Sequence, residues 1–495
     1  MSDIAIIVKD LKAKLQGQTV LDAISFTLRP QQHLAIVGES GSGKTTLAKA
    51  IAGLVFHEGT VTIQTADTDY NKNVLFVAQQ DTFKNLSNQS SFYYQQRFNS
   101  TESEDAATVM QNLTETAVKA IPDRIRRTAK IEALLTRLNM QHRSYTPLIQ
   151  LSNGEHKRLQ LIRALLFQPK VLLLDQPFIG LDVQTRKELH TLINDIATHT
   201  TIILITNSNE IPDCITHIAQ LHKGILKSYT EVKDFKEDIA AQNSFIASKP
   251  LPQLKEQTDF NNAVLLKNVS VQYGDKTILQ NINWQVRRSD KWWIQGPNGA
   301  GKSTLLSLLN GDNPQAYANE IYLFDKRRGT SESIWDIKKK IGYISPELHW
   351  FFDKGITVYG AIASGFFDTM GLYRKISAAQ EKIVAQWIAY FDLNTLQHKS
   401  LSLLPSGLQR LVLLARALVK SPPMLILDEP CQGLDDNQTA TFVNLIDELV
   451  ARNNRTLLYV THYEQEVPNC IDKKLVLNKG VATFSNIIKR KNEAA

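Results

Sequence analysis

Gly38-Glu39-Ser40-Gly41-Ser42-Gly43-Lys44-Thr45 returns in the second half of the chain as Gly296-Pro297-Asn298-Gly299-Ala300-Gly301-Lys302-Ser303. Each copy follows a short apolar run, Leu34-Ala35-Ile36-Val37 and Trp292-Trp293-Ile294. Each then enters a helix-compatible segment, beginning Thr46-Leu47-Ala48 and Thr304-Leu305-Leu306. Strand, glycine loop and helix in that order give Gly-x4-Gly-Lys-Ser/Thr its meaning. One such pattern arises by chance in about two of every hundred chains of this length at average residue frequencies. Two copies at corresponding places exclude chance. Later landmarks repeat as well: Leu172-Leu173-Leu174-Asp175 matches Leu425-Ile426-Leu427-Asp428, Gly180-Leu181-Asp182 matches Gly433-Leu434-Asp435, and Thr206 matches Thr461. Their nearly constant offset predicts two homologous halves. Each half opens with strand-like alternation, at residues 4–8 and 23–28 and again at 264–273 and 282–286.

Glycines in such a loop let backbone N–H groups curl around phosphate oxygens at a helix N-terminus. Both loops, with Thr46 and Thr304 just inside the helices, are therefore expected to bind a nucleotide. Lys44 and Lys302 would reach its β- and γ-phosphates, and Thr45 and Ser303 would ligate Mg2+. Asp175 and Asp428 end apolar strands, which places a carboxylate at the sheet edge where it too can hold the metal. The next residue separates the halves. Glu429 is suited to take a proton from an attacking water; Gln176 has the same shape and no basicity.

Leu151-Ser152-Asn153-Gly154-Glu155 precedes an apolar-periodic stretch, Leu159, Ile162, Leu165 and Leu166. By itself Ser152-x-x-Glu155 is a capping box at a helix start. Lying between a glycine loop and an aspartate strand, it resembles the LSGGQ signature of ATP-binding cassette (ABC) ATPases. The resemblance covers both halves. It implies an α/β fold of two P-loop NTPase (ABC ATPase) domains, each a mainly parallel sheet core with an antiparallel β subdomain and a helical subdomain. The expected division is a first domain at 1–228, a linker at 229–261 rich in Lys, Glu and Gln, and a second domain at 262–495. The segment 85–130 is polar and mixed, helical in part. ATP hydrolysis is the implied activity, with ATP and Mg2+ as cofactors.

Family residues carried over motif by motif fall unevenly. Tyr273 stands where the family stacks an aromatic on adenine; Leu15 holds that place in the first half. His462 after Thr461 matches the switch histidine, whereas Asn207 follows Thr206. Aligning Arg163-Ala164-Leu165 with Arg416-Ala417-Leu418 sets Pro405 opposite the signature Ser152, with Ser406 and Gly407 following. The Q-loop glutamine falls at Gln79, and Pro346 takes its place in the second half. The family's head-to-tail sandwich would build one site from Lys44, Asp175, Gln176 and Asn207 with Pro405, Ser406 and Gly407. It would build the other from Lys302, Asp428, Glu429 and His462 with Ser152 and Gly154. All the losses except Pro346 fall in the first site, so one catalytic site and one ATP-holding site are expected. Both would form within one monomeric chain.

Closer wording narrows the family. Asn313-Pro314-Gln315-Ala316-Tyr317-Ala318-Asn319, Tyr322-Leu323-Phe324, Arg327-Arg328-Gly329-Thr330 and Ile334-Trp335-Asp336-Ile337-Lys338-Lys339 resemble the ModF family of molybdenum-transport or photorepair-type ATP-binding proteins. That resemblance implies an ATPase serving molybdate uptake beside membrane permease subunits. Three other readings stand beside it: a tandem ABC protein acting on ribosomes, a regulatory ATP-dependent clamp, and a fused sugar-importer ATPase. Ribosome-acting members carry a long charged arm and two catalytic glutamates. Sugar-importer members degenerate in the second half rather than the first.

Composition sets the outer bounds. Among 495 residues, 56 Lys and Arg against 49 Asp and Glu leave a net charge of +7, too diffuse to select nucleic acid, a membrane face or a phosphate ligand. No direct nucleic-acid binding is expected. Cys214, Cys431 and Cys470 share no metal-ligand spacing, which favours a reduced, cytoplasmic setting. Association with the inner face of the inner membrane would be peripheral, because no stretch approaches the ~18–20 apolar residues of a span. Lys338-Lys339-Lys340 reads as a solvated helix face. His349-Trp350-Phe351-Phe352 reads as core or as part of the groove that receives a membrane subunit, and Cys431 as a small buried residue.

Overall fold

In the computed structural model, the opening alternation of polar and apolar residues forms a hairpin, β1 (Ala5–Leu15) and β2 (Gln18–Leu28). The residues described are 4–15, 17–64, 73–79, 107–236, 252, 259–274, 276–330, 332–346, 348, 352–353 and 355–487. They belong to two compact units, 1–240 and 241–495. In the first unit β3 (Leu34–Gly38) leads through the glycine loop into α1 (Lys44–Ile51), and β4 (Glu58–Gln64) returns to pair antiparallel with β1. Then come β5 (Val74–Val77), α2 (Val109–Val118), α3 (Arg124–Arg137), α4 (Asn153–Leu166), β6 (Val171–Asp175), α5 (Val183–Ala197), β7 (Thr201–Ile205), β8 (His217–His222) and β9 (Ile225–Glu231). Among the described residues the main sheet runs β5-β6-β7-β3-β8-β9, parallel except for the β8–β9 hairpin.

The central strands show why their sequences are apolar throughout. Alternate residues feed two separate cores. Leu34, Ile36, Val171, Leu173, Ile203 and Ile205 pack with the β1–β2 sheet and α1. Ala35, Val37, Leu172, Leu174, Ile202 and Leu204 pack with α2, α3, α4 and α5. A sheet covered on both faces needs hydrophobic residues at every position rather than at every second one. Each such side chain contributes roughly 1.5–3 kcal/mol on burial.

The second unit repeats the plan. Its elements are β10 (Asn262–Tyr273), β11 (Lys276–Arg287), β12 (Lys291–Gln295), α6 (Lys302–Asn310), β13 (Glu320–Leu323), β14 (Lys326–Arg327), α7 (Ile334–Lys339), β15 (Ile341–Ile344), α8 (Val358–Ser364), α9 (Ala378–Tyr390), α10 (Ser406–Leu418), β16 (Met424–Asp428), α11 (Asp436–Asn453), β17 (Thr456–Val460), β18 (Lys473–Asn478) and β19 (Val481–Asn486). The order β15-β16-β17-β12-β18-β19 matches the first sheet strand for strand. Trp293, Leu425, Leu427, Leu457 and Tyr459 face one core; Trp292, Ile294, Met424, Ile426, Leu458 and Val460 face the other.

Several sequence expectations shift in detail. β9 stays paired with β8 to the His217–Glu231 rung, so regular structure runs past residue 228. Within 85–130, α2 and the start of α3 are helical, and residues 80–106 lie outside the described set. Of the lysine triplet only Lys339 is mainly solvated. Lys338 Nζ lies 2.6 Å from Asp312 and Lys340 Nζ 2.9 Å from Glu332, each with about a fifth of its side chain exposed. Tertiary packing brings acids from outside the helix to neutralise both. Cys431 is buried as expected, its thiol 3.4 Å from the Tyr459 hydroxyl. Phe352 is buried; His349, Trp350 and Phe351 lie outside the described residues.

Candidate functional site

Each glycine loop leaves a central strand and ends as a helix N-terminus. Gly43 and Gly301 close the loops in the left-handed region, at φ 98° and 103°. A Cβ would stand 2.6 Å from Leu21 Cδ2 at the first and 2.8 Å from Leu279 Cδ2 at the second. Only glycine meets both demands. Neither α1 nor α6 has a side-chain cap, which leaves their opening N–H groups for an anion. Lys44 Nζ donates to Gly38 O (2.5 Å) and Glu39 O (2.7 Å). Lys302 Nζ donates to Gly296 O (2.7 Å) and Pro297 O (3.1 Å). Each buried ammonium is thus held across its own loop, among carbonyls that a phosphate oxygen would replace as partner.

Asp175 and Asp428, both buried, end β6 and β16 at the same sheet edge as the loops. Thr45 Oγ1 donates to Asp175 Oδ2 at 3.0 Å. A hydroxyl and a carboxylate side by side are hard oxygen donors of the kind Mg2+ takes, with phosphate and water completing its shell. Among the described residues no three His, Cys, Asp or Glu side chains form a cage of their own, so such an ion would depend on the nucleotide. Burial pushes the Asp175 carboxyl up, against the Thr45 hydrogen bond and the charges of Lys49, Lys157 and Lys44. Ser303 opens α6 in the place of Thr45 and is exposed.

The residue after each aspartate adopts positive φ, 46° at Gln176 and 44° at Glu429. Each N–H bonds to the neighbouring strand, at Ile205 O and Val460 O, both 2.9 Å. The conformation belongs to the repeat, as it does at other equivalent pairs such as Gln31 and Ser289. What Gln176 and Glu429 carry differs. His462 Nε2 stands 3.1 Å from Glu429 Oε1, an ion-pair distance, but the ring nitrogen is not aligned for a hydrogen bond. Burial raises the Glu429 carboxyl, yet contact with His462 and the charges of Lys302 and Arg410 outweigh it, leaving the group below its ordinary value. Gln432 Nε2 donates to the other oxygen at 3.2 Å. In the first unit the corresponding residues are Gln176 and the partly exposed Asn207. Two neutral amides replace a carboxylate and an imidazole.

The signature segments also differ. Ser152 caps α4 in a full capping box: Glu155 N donates to Ser152 Oγ (3.3 Å) and Ser152 N to Glu155 Oε2 (2.7 Å). Arg143 Nε holds the same glutamate at 2.7 Å. Pro405 caps α10 with no side-chain bond, and Ser406 Oγ donates to Gly433 O at 3.2 Å. Gly154 sits where a Cβ would approach Thr185 Cγ2 to 2.5 Å; Gly407 sits 3.0 Å from Gln438 by the same measure. Both signature glycines are therefore pressed against the first turn of the following helix.

Tyr273 ends β10 half-buried, its hydroxyl accepting from Asn313 Nδ2 at 2.9 Å, while the same amide reaches Ser307 Oγ at 3.2 Å. Leu15 is exposed at the matching edge of β1. Gln79 O accepts from Lys157 Nζ at 2.5 Å, and Pro346 follows the buried Ser345. Sequence reasoning missed Asn313, Gln432 and the pair Lys157 and Arg410. Aligning the signature helices places Lys157 opposite Arg410, the one signal that marked them.

Comparison with known proteins identifies the family. The ABC transporter family matches the chain twice, over residues 21–179 and 279–432. The ABC transporter ATP-binding protein ModF of Escherichia coli is 34% identical over 486 residues, 93% of this chain and 94% of that protein. An uncharacterized ABC transporter ATP-binding protein of Schizosaccharomyces pombe is 29% identical over 491 residues, 94% of this chain and 98% of its own. The xylose import ATP-binding protein XylG of Thermoanaerobacter pseudethanolicus is 24% identical over 496 residues, 97% of this chain and 95% of its own. Two matched cassettes, each with a lysine-bearing glycine loop beside a buried aspartate, make the chain a tandem ATP-binding protein and an ATPase: it belongs to the ABC transporter family.

Proposed function

We propose that this chain is the ATP-hydrolysing subunit of an ABC-type transport system in which one composite ATP site turns over and the other holds nucleotide. The observation that carries the reading is the Glu429–His462 contact of 3.1 Å, set against Gln176 and Asn207 in the first unit. Glu429, held anionic, would accept a proton from the attacking water, with the His462 imidazole beside it at the family's switch position. Lys302 balances charge on the β- and γ-phosphates. Thr45 with Asp175, and Ser303 with Asp428, would hold Mg2+, which would supply charge neutralisation on the phosphates. The family's pairing of halves would bring Ser152 and Gly154 to the competent site, and Ser406 and Gly407 to the other.

Single-turnover hydrolysis tests the assignment. Lys302→Ala is expected to abolish the chemical step, and Lys44→Ala to leave most of it. Equal losses from the two would sink the asymmetry.

Molybdate uptake is the solute assignment that resemblance to the ModF family supports. Among the described residues no helix is long and apolar enough to cross a membrane, so in this reading the pore belongs to separate permease subunits. The chain would then dock peripherally on their cytoplasmic side. Copurification from detergent-solubilised membranes should yield the chain with a permease. Recovery on ribosomes instead would favour the translation-type alternative, and a free chain the regulatory clamp.

A further inference from the structure

We propose that Arg410 and Gln432 form a clamp that orients the Glu429 carboxylate, and that both are positioning residues of the competent site. Arg410 lies near the start of α10 and is 2% exposed. A guanidinium so enclosed ordinarily faces a carboxylate of its own. Here Nε and Nη1 have no hydrogen-bond partner, and Nη2 donates to Gln432 O at 2.9 Å. A charge this costly to bury, spent on one backbone carbonyl, is poorly explained as a stabilising device.

Gln432 completes the path to the base. Its N–H donates to Glu429 O at 3.1 Å, and its Nε2 donates to Glu429 Oε2 at 3.2 Å. It is therefore held at its carbonyl by Arg410 and at its N–H by the turn, and it in turn holds the carboxylate. Oε2 accepts from Gln432, and Oε1 lies beside His462 at 3.1 Å, so Gln432 supplies the directed hydrogen bond that orients the carboxylate. The turn that carries it is the one strained to φ 44° at Glu429. A general base gains most from such fixing, because misplacement by an ångström is worth on the order of a hundredfold in rate.

The first unit keeps the turn, with Ile179 N–H facing Gln176 O at 3.5 Å, but lacks the side chains of this clamp. Lys157, opposite Arg410, gives its ammonium to Gln79 O at 2.5 Å. Ile179, opposite Gln432, has no side-chain amide, and Gln176 has no charge to orient. The clamp thus occurs only where the base occurs. This inference rests on the one-competent-site reading.

Steady-state hydrolysis and binding of a fluorescent ATP analogue, measured on the full chain for Gln432→Leu, Arg410→Met, Arg410→Lys and Glu429→Gln, test it. Gln432→Leu and Arg410→Met are expected to lower kcat by about tenfold or more with affinity nearly unchanged, and Arg410→Lys to recover part of the loss. If Arg410→Met fails to fold, Gln432→Leu decides alone, since Ile179 shows that an apolar side chain fits the turn. Wild-type kcat in Gln432→Leu overturns the clamp, as does a loss of affinity that matches the loss of kcat. Full activity in Glu429→Gln would instead overturn the underlying site assignment, so the two failures are distinguishable.

Discussion

At the residue scale the two nucleotide sites differ by a few atoms. Gln176 and Glu429 share a backbone conformation and equivalent strand partners, so the loss of chemistry we propose for the first unit is not a loss of fold. A missing general base costs about 10²–10⁴ in rate, or about 3–5 kcal/mol of barrier. Glu429→Gln is accordingly expected to remove turnover by that factor in a steady-state phosphate-release assay, with nucleotide binding retained. Gln176→Glu is expected to restore little. Its new carboxylate would meet Asn207 in place of an imidazole, and Ile179 in place of the Gln432 amide.

At the element scale, helix caps carry much of the local specification. Thr108, Asp123, Ser152 and Asp182 cap α2, α3, α4 and α5, and Thr357, Ser377 and Asp435 do the same for α8, α9 and α11. The box at α4 doubles as the signature. Ser152→Ala should lower the stability of the first unit by about 1 kcal/mol, read as a downward shift of its thermal transition. Burial raises the Glu155 carboxyl, but the Ser152 N–H and Arg143 outweigh it and leave the group below its ordinary value of 4.5. The unfolded chain therefore binds this proton more readily than the folded one. The stabilisation is complete above about pH 4.5 and fades as the pH falls through the lower folded value. Glu155→Gln should flatten that acid limb in thermal melts taken between pH 6 and 3. An unchanged acid limb would count against the Arg143–Glu155 pair as its source.

At the scale of the whole molecule, the composite arrangement we propose makes the halves answer for one another. Ser152→Ala in the first unit should depress hydrolysis that depends on Glu429 in the second. Ser406→Ala should leave turnover nearly intact, because the site it would serve has no base. If Ser406→Ala lowered single-turnover hydrolysis as much as Ser152→Ala, the proposed exchange of signatures would be wrong. Restoring the first site should need Gln176→Glu, Asn207→His and Pro405→Ser together, since groups that act as a unit are not additive.

The division between sequence and structure follows from the range of the forces involved. The glycine loops, the aspartate-ended strands and the internal repeat were legible because each is a contiguous pattern. φ requirements at Gly43 and Gly301, apolar runs for a sheet covered on both faces, and caps at helix starts are all local demands on neighbouring residues. The asymmetry between Glu429 and Gln176 was legible for the same reason, once the repeat gave the register. Tertiary structure alone decided the rest. It paired Lys338 and Lys340 with the distant Asp312 and Glu332, tied the Tyr273 hydroxyl to Asn313, and set Arg410 behind Gln432 and Glu429. Those pairings join residues that no local pattern links. They exist because folding brings distant polar groups into one dry interior, where a buried donor or charge must settle its account with whatever lies within hydrogen-bond reach.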